Sequence, residues 1–537
     1  MTVASLIAFL AAAAPGRSTA DSVPLYTNLG SHHVPITTSV AAAQRYFDQG
    51  MRLAYGFNHA EAIRAFTAAA RLDGACAMCY WGIAYAHGPH VNAGMDSVAG
   101  VAAYAAIQEA LKRAAGASAR EQSYIRAMAA RYAAVPPADR AALDSGYARG
   151  MADVVRAEPA DLDAAALYAE ALMDLRPWNY WHKDGTPYPG TTGIVAQLER
   201  VIAANPDHPG ACHFYIHAVE AVEPQNAVPC AERLARLMPG VGHMVHMPAH
   251  IYIRVGRYAD AIEANVHAVH TDEAYIEGQK PQGIYPIAYY PHNYHFLSFA
   301  ATLAGRSATA IEAANKTAAV TSVEGARQVP FVEPYLQQPY LTLVTFGRWD
   351  EVLAMPLPPA DLPYTRAIVH YARGVAFAAK ARWAEALAAL DTVTQLAATG
   401  TRGYMSAGWV TPSTNLEIAT HALTAEIAAR QGRLDEAITH FTAAMKREDE
   451  QLYTEPPDWY YPLRHSLGAV LLKAGTPAEA ERLYREDLKR FPENGWSLFG
   501  LAQALRGQRK TTEARQVEQR FQRAWRGGDV TLTASRF

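Results

Sequence analysis

Between His208 and His295 the chain carries ten of its twenty histidines. They fall at helical spacing: His213 with His217, His243 with His246 and His250, and His292 with His295. Residues three or four apart share one face of a helix. Neutral imidazole is a strong ligand for copper, zinc, iron and nickel. A helix with His at i and i+4 can direct two nitrogens at one ion. A second helix then supplies a third and leaves a position open for water, oxygen or substrate. The pattern predicts a metal site drawn from His213, His217, His243, His246, His250, His292 and His295. The residues between the paired histidines, Phe-Tyr-Ile and Met-Pro-Ala, lack the water-activating glutamate of an HExxH helix, which weakens a metalloprotease reading. Glu220, close behind His217, is a candidate supporting partner, ligand or base.

The donor set is nearly all imidazole, which suits copper, with zinc or iron as alternatives, and disfavours magnesium and calcium. Tyr285, Tyr289, Tyr290 and Tyr294 crowd the same stretch. Tyr289 is a candidate substrate contact and Tyr290 a candidate radical carrier, with plain packing as the alternative for both. His267 and His270 are expected on the far face of their hairpin. His87 and His90 could join Cys76 and Cys79, but without zinc-finger spacing.

The elements that must position these residues are helical. In RYFDQGMRLAYGFNHAEAIRAFTAAARLDGA a small residue at Gly50 is followed by Ala62, Phe66 and Ala69. The phrase recurs at Gly256/Ala261, Gly305/Ala310, Gly347-Arg-Trp349, Gly374/Trp383/Ala386, Gly432/Ala437/Phe441/Ala444 and Gly468/Gly475/Ala480/Tyr484/Pro492. Alternating β-branched strand patterns are nearly absent. The chain resembles the tetratricopeptide-repeat superfamily on these residues. More loosely, it resembles exported bacterial members with a His-rich central region, a likeness that brings no activity with it. The resemblance implies an all-α, tetratricopeptide-like helical-hairpin solenoid of roughly ten hairpins with a concave groove. Aligning Gly256/Ala261 on Gly305/Ala310 puts His243 on His292 and His246 on His295, positions that face the groove in such arrays.

The expected organisation is a signal segment over 1–20, an arm over 21–42, N-terminal repeats over 43–175, a His-rich centre over 176–330 and C-terminal repeats with a capping helix over 331–537. Two insertions interrupt the centre. The first, 176–193, holds Arg176, Trp178 and His182, candidates for a lid or substrate contact. The second, 275–290, reads as another lid loop, because long loops in compact arrays are often functional. In TEPPDWYYPLRHSLG (454–468), Arg464 is a candidate anion holder, with inter-repeat packing as the alternative.

Val3 to Ala14 is an apolar run of signal-peptide length, followed by Ser18-Thr19-Ala20, although no basic residue precedes it. It predicts export to the periplasm or beyond. No later stretch reaches the roughly 20 apolar residues of a membrane span. Cys212 and Cys230 are expected to form a disulfide, while Cys76-x-x-Cys79 reads as a disulfide, a thiol pair for soft metal or a redox motif. A net charge of -3 without a basic run argues against nucleic acid as a partner. There is no GxSxG, P-loop or GxGxxG, and Tyr80 after Cys79 removes a haem-attachment motif. The leading expectation is a copper-dependent oxidoreductase acting on a small or peptide-like substrate. The alternatives are a zinc-dependent hydrolase with Glu220 as base and a non-catalytic scaffold or metal carrier that binds a partner peptide.

Overall fold

The computed structural model describes residues 23–281, 283–399 and 412–537, so the expected signal segment lies outside the described residues. The chain is all-α, with the hairpin build of tetratricopeptide repeats. It divides into two compact units, Met1–Ile251 with His267–Pro286, and Tyr252–Val266 with Ile287–Phe537.

In the first unit the helices are α1 (Ala41–Tyr55), α2 (His59–Leu72), α3 (Ala77–His87), α4 (Ser97–Arg113), α5 (Ala119–Ala129), α6 (Ala141–Ala157), α7 (Leu162–Met173), α8 (Thr191–Ala204), α9 (Pro209–Val219), α10 (Val228–Leu237) and α11 (Gly242–His246). Next come α12 (Pro248–Arg254) and α13 (Tyr258–Gln279), through which the chain passes between units. The second unit continues with α14 (Tyr290–Leu303), α15 (Ser307–Thr321), α16 (Val323–Gln328), α17 (Gln338–Thr345), α18 (Trp349–Ala354), α19 (Pro363–Ala379), α20 (Trp383–Thr399), α21 (Pro412–Arg430), α22 (Leu434–Glu450), α23 (Leu463–Lys473), α24 (Pro477–Arg490), α25 (Gly495–Gly507) and α26 (Thr511–Ala524). No described helix is long and apolar enough to cross a membrane.

One packing device serves both units. In the first, the ring of Phe66 on α2 sits between Gly50 of α1 and Gly82 of α3, and a Cβ at either glycine would lie 2.4 Å from it. In the second, Tyr484 on α24 sits between Gly468 of α23 and Gly500 of α25, with hypothetical Cβ distances of 2.4 and 2.2 Å. The glycines let two first helices close on one aromatic of the helix between them, which is why small and aromatic residues recur together in the sequence. Overpacking such a contact costs about 1–3 kcal/mol. Gly468→Ala is therefore expected to lower the thermal midpoint, and adding Tyr484→Leu to restore part of it, as read by circular dichroism.

The expected Cys212–Cys230 disulfide is formed, and of the three readings open to Cys76 and Cys79 the structure has the disulfide. Cys76 caps α3, its sulfur accepting the Cys79 N–H at 3.1 Å. A Cys76/Cys79/His87/His90 ligand set is thereby ruled out.

The second insertion is not a long loop. Helix α13 runs on to Gln279, and Tyr285–Tyr289 is a π-helical turn leading into α14. Its tyrosines pack instead of pointing outward: Tyr285 is buried and meets the Tyr275 ring edge-on at 5.7 Å. In the first insertion, the residues ahead of α8 are irregular. They fold into a small turn with a Trp181–Pro187 bridge and lie along α9, where the Trp181 indole donates to the Ala218 carbonyl at 2.7 Å.

Candidate metal centre

Helix α9 begins with His208 as its cap, the Nδ1 atom accepting the Ala211 N–H at 3.1 Å, and Pro209 follows in the first turn. This start sets the phase that puts His213 and His217 on one face. Helix α11 begins at Gly242, where a Cβ would lie 1.9 Å from an Asp272 carboxylate oxygen, so only glycine fits. The Tyr285 hydroxyl accepts the His243 N–H at 3.1 Å and donates to Asp272 at 2.9 Å. Pro248 then interrupts the helix between His246 and His250, since it brings no N–H to the ladder.

These elements gather five buried imidazoles. His213, His217 and His243 form one group whose ligand nitrogens all lie within 4.8 Å of one another. His213 Nε2 and His243 Nε2 are 3.2 Å apart. His246 Nε2 and His250 Nε2 are 2.9 Å apart. Two nitrogens on one tetrahedral ion at ordinary bond lengths lie about 3.3 Å apart, so the His213–His243 spacing is that of a ligand pair.

The outer nitrogens are oriented. His213 Nδ1 lies 2.6 Å from the Tyr55 carbonyl oxygen, which can only accept, so Nδ1 carries the proton and Nε2 presents its lone pair. His250 Nδ1 donates to Glu220 Oε2 at 2.8 Å, with the same consequence for its Nε2. Glu220 Oε1 is 3.5 Å from His217 Nδ1. His217 Nε2 is buried and has no hydrogen-bond partner among the described residues. Burial, reinforced by neighbouring imidazoles, holds His213 and His243 well below the usual histidine range; His217 is also lowered by burial, against the pull of Glu220. These imidazoles are thus kept neutral. Burial pushes the Glu220 carboxyl up, but His250, with its hydrogen bond, and the nearby His217 outweigh it and hold it at about 2. Glu220 is therefore an ionised positioning partner of two histidines.

The walls are aromatic. Phe57, in the turn between α1 and α2, is buried with a left-handed φ of 55°. Its ring centroid lies 4.4 Å from that of His213 and 5.6 Å from that of His243. On its other side it stacks on His90 at 4.2 Å. From the first insertion, Trp178 meets His217 edge-on at 5.1 Å and donates its indole N–H to Asn92 at 3.1 Å.

Of the expected lid residues, then, Trp178 reaches the centre. Arg176 lies over the Tyr188 ring at 4.5 Å and His182 packs tilted against the same ring at 3.6 Å, both exposed. His292 and His295 stand on α14 in the second unit, His292 against Phe296 and His295 against Tyr335, and burial holds His295 at about 4. Tyr289 and Tyr290 belong to that unit too, Tyr290 edge-on to Tyr294. Arg464 is engaged by Asp449 through two hydrogen bonds of 2.9 and 2.8 Å. His267 and His270 are exposed on α13. Sequence reasoning missed Phe57 and left His90 in another grouping; neither has a local signature, because their partners come from distant helices. Tyr55 was also missed, since it acts through its backbone.

No family model matches the chain, and no curated protein matches it. Solved structures of human IFIT1 match along most of its length. The dimer with m7Gppp-AAAA matches at 12% identity and a TM-score of 0.36, covering 91% of each chain. The dimer with PPP-AAAA matches at 11% identity and a TM-score of 0.35, covering 92% of each chain. A likeness at this level speaks to neither ligand nor oligomeric state.

Proposed function

We propose that the protein is a copper-dependent oxidoreductase whose metal is held in the first unit by His213, His217 and His243, with His246 and His250 as a second ligand pair. The observation that carries this reading is the His213–His243 Nε2 spacing of 3.2 Å together with the Tyr55 carbonyl that fixes the His213 tautomer. Second partners of this kind are what metal-bound histidines ordinarily have. Copper, when bound, supplies one-electron chemistry with a small oxidant or reductant.

The chain's own residues do the rest. Tyr55 and Glu220 orient the imidazoles. Phe57 and Trp178 exclude water. The histidines are at most 4% exposed, so a reactant must be small or enter by local opening. The zinc-hydrolase alternative asks Glu220 to act as a base. A carboxylate that accepts from His250, lies 3.5 Å from His217 and is held at about 2 is poorly suited to take a proton. Two disulfides fit an oxidising compartment, and we place the protein in the periplasm or outside the cell.

The test is elemental analysis of tag-free protein, wild type against the His246→Ala/His250→Ala variant. About one or two copper ions per chain in wild type, reduced in the variant, is the expected result; oxygen uptake with small reductants follows. Zinc in place of copper redirects the search to hydrolysis. No metal after reconstitution overturns the reading and leaves a partner-binding scaffold.

A further inference from the structure

Beyond α26, the second unit contains an extended stretch, residues 529–537 (DVTLTASRF), with no backbone hydrogen bond among its own residues. Its path is dictated by the helices it crosses. Its backbone is held at both ends and in the middle. The Asp529 N–H donates to the Gly305 carbonyl at 3.0 Å. The Trp525 indole donates to the Val530 carbonyl at 2.9 Å and the Gln503 amide to the Thr533 carbonyl at 3.2 Å. The Arg430 guanidinium donates to the Phe537 carbonyl at 3.0 Å.

Its side chains enter separate subsites. Asp529 accepts the first N–H groups of α15, from Ser307 and Ala308, at 2.7 and 2.9 Å. The Ser535 hydroxyl is buried, pairs with the Tyr484 hydroxyl at 2.7 Å and donates to the His465 carbonyl at 2.8 Å. Arg536 pairs with Glu426, a carboxylate only 5% exposed, and lies over the Phe441 ring. The Phe537 ring meets Trp496 edge-on at 5.8 Å and sits against Gly347, where a Cβ would lie 2.9 Å from the Phe537 Cβ and 3.2 Å from its ring. Trp349, Tyr371 and Tyr460 line the same cavity.

Side chains gripping a peptide backbone, with a pocket for each of several residues, are how proteins read an extended ligand. The stretch gives the core little in return: of its apolar side chains only Leu532 is fully buried. A segment with so few buried apolar contacts opens at low cost. We propose that this channel is a peptide-recognition site held by the chain's own residues 529–537, and that it accepts from a partner protein an extended segment in which serine and a cationic residue precede an aromatic one. The proposal concerns the second unit alone and does not depend on the metal centre.

The probe is a fluorescein-labelled peptide DVTLTASRF, read by anisotropy against the intact chain and against the full chain with Arg536→Ala/Phe537→Ala. A tethered occupant competes at an effective concentration of about a millimolar. The weakened chain is therefore expected to bind the peptide roughly a hundredfold more tightly than the intact chain. Adding Glu426→Gln to the weakened chain should remove most of that binding, and a peptide with the Arg-Phe pair replaced by Ala-Ala should not bind. A weakened chain that keeps its helical spectrum and melting profile but does not take the peptide overturns the proposal. So does equal binding by the intact chain. If the weakened chain unfolds, the stretch is a structural clasp, and the proposal fails in that case too.

Discussion

His243→Ala is expected to weaken copper binding by well over a hundredfold, and Glu220→Gln by about ten- to a hundredfold. The difference follows from what each side chain touches. His243 faces His213 nitrogen to nitrogen at 3.2 Å, so its loss removes a ligand. Glu220 faces the outer nitrogens of His250 and His217. Its loss frees imidazoles to turn without removing a donor, and supporting partners of this kind are typically worth 10–100-fold in metal affinity. Thermal melts with and without copper provide the readout, because a ligand that binds only the folded state raises stability in proportion to the logarithm of its concentration over Kd. Wild type should show the largest copper-induced rise, Glu220→Gln a smaller one, and His243→Ala almost none. Equal rises in all three would show that the metal sits elsewhere.

The largest loss of stability is expected from Asp174→Ala. Arg131 is 1% exposed, and its guanidinium donates to Asp174 at 2.6 Å and to the Pro89 carbonyl at 2.9 Å while lying over the Tyr147 ring. Removing one partner of a buried pair leaves a charge without compensation and costs about 3–5 kcal/mol. Replacing both, as Arg131→Met/Asp174→Leu, should cost less than the single change. The loss should also depend on pH. Glu170, one turn before Asp174 on α7 and hydrogen-bonded by Tyr85 at 2.7 Å, is pushed up to about 7 by burial, against the pull of Tyr85 and Arg131. Ionised, Glu170 can answer an Arg131 that has lost Asp174; protonated, it cannot. Asp174→Ala should therefore be more damaging at acid pH, where Glu170 keeps its proton, than at pH 8.5, as measured by urea unfolding.

In wild type the same group gives a second sign. Folded Glu170 keeps its proton up to about 7, whereas the unfolded chain releases it near the ordinary 4.5. Between those values the folded state binds more protons, so this residue's contribution to stability declines as pH rises through the window and levels off above it.

The parts of this molecule legible in its sequence are those written in side chains at fixed spacing. Gly50 with Phe66 and Gly468 with Tyr484 announce helices crossing on an aromatic, and both are found doing so. His213 and His217 share a face because they stand four apart on α9, and His243 lies beside them. Where composition spoke against conformation, the reading went wrong. The Gly-, Pro- and Tyr-rich stretch 275–290 reads as a loop, yet α13 runs on to Gln279 and buried Tyr285 opens a π-helical turn. What was not legible depends on long-range packing. Phe57 looks like a turn residue until α9, α11 and His90 close around it. The role of Glu220 stayed open among ligand, base and partner, since nothing local says that His250 will arrive at its Oε2 atom.

The two orienting groups differ in how mutation can reach them. Glu220 is a side chain, and a single codon change can remove or tune its hold on His250. The group that orients His213 is the main-chain carbonyl of Tyr55, the last residue of α1. Every amino acid at position 55 still carries that oxygen, so no one substitution there deletes it. Drift can adjust the His250 side of the centre residue by residue, whereas the His213 side is inherited with the helix itself.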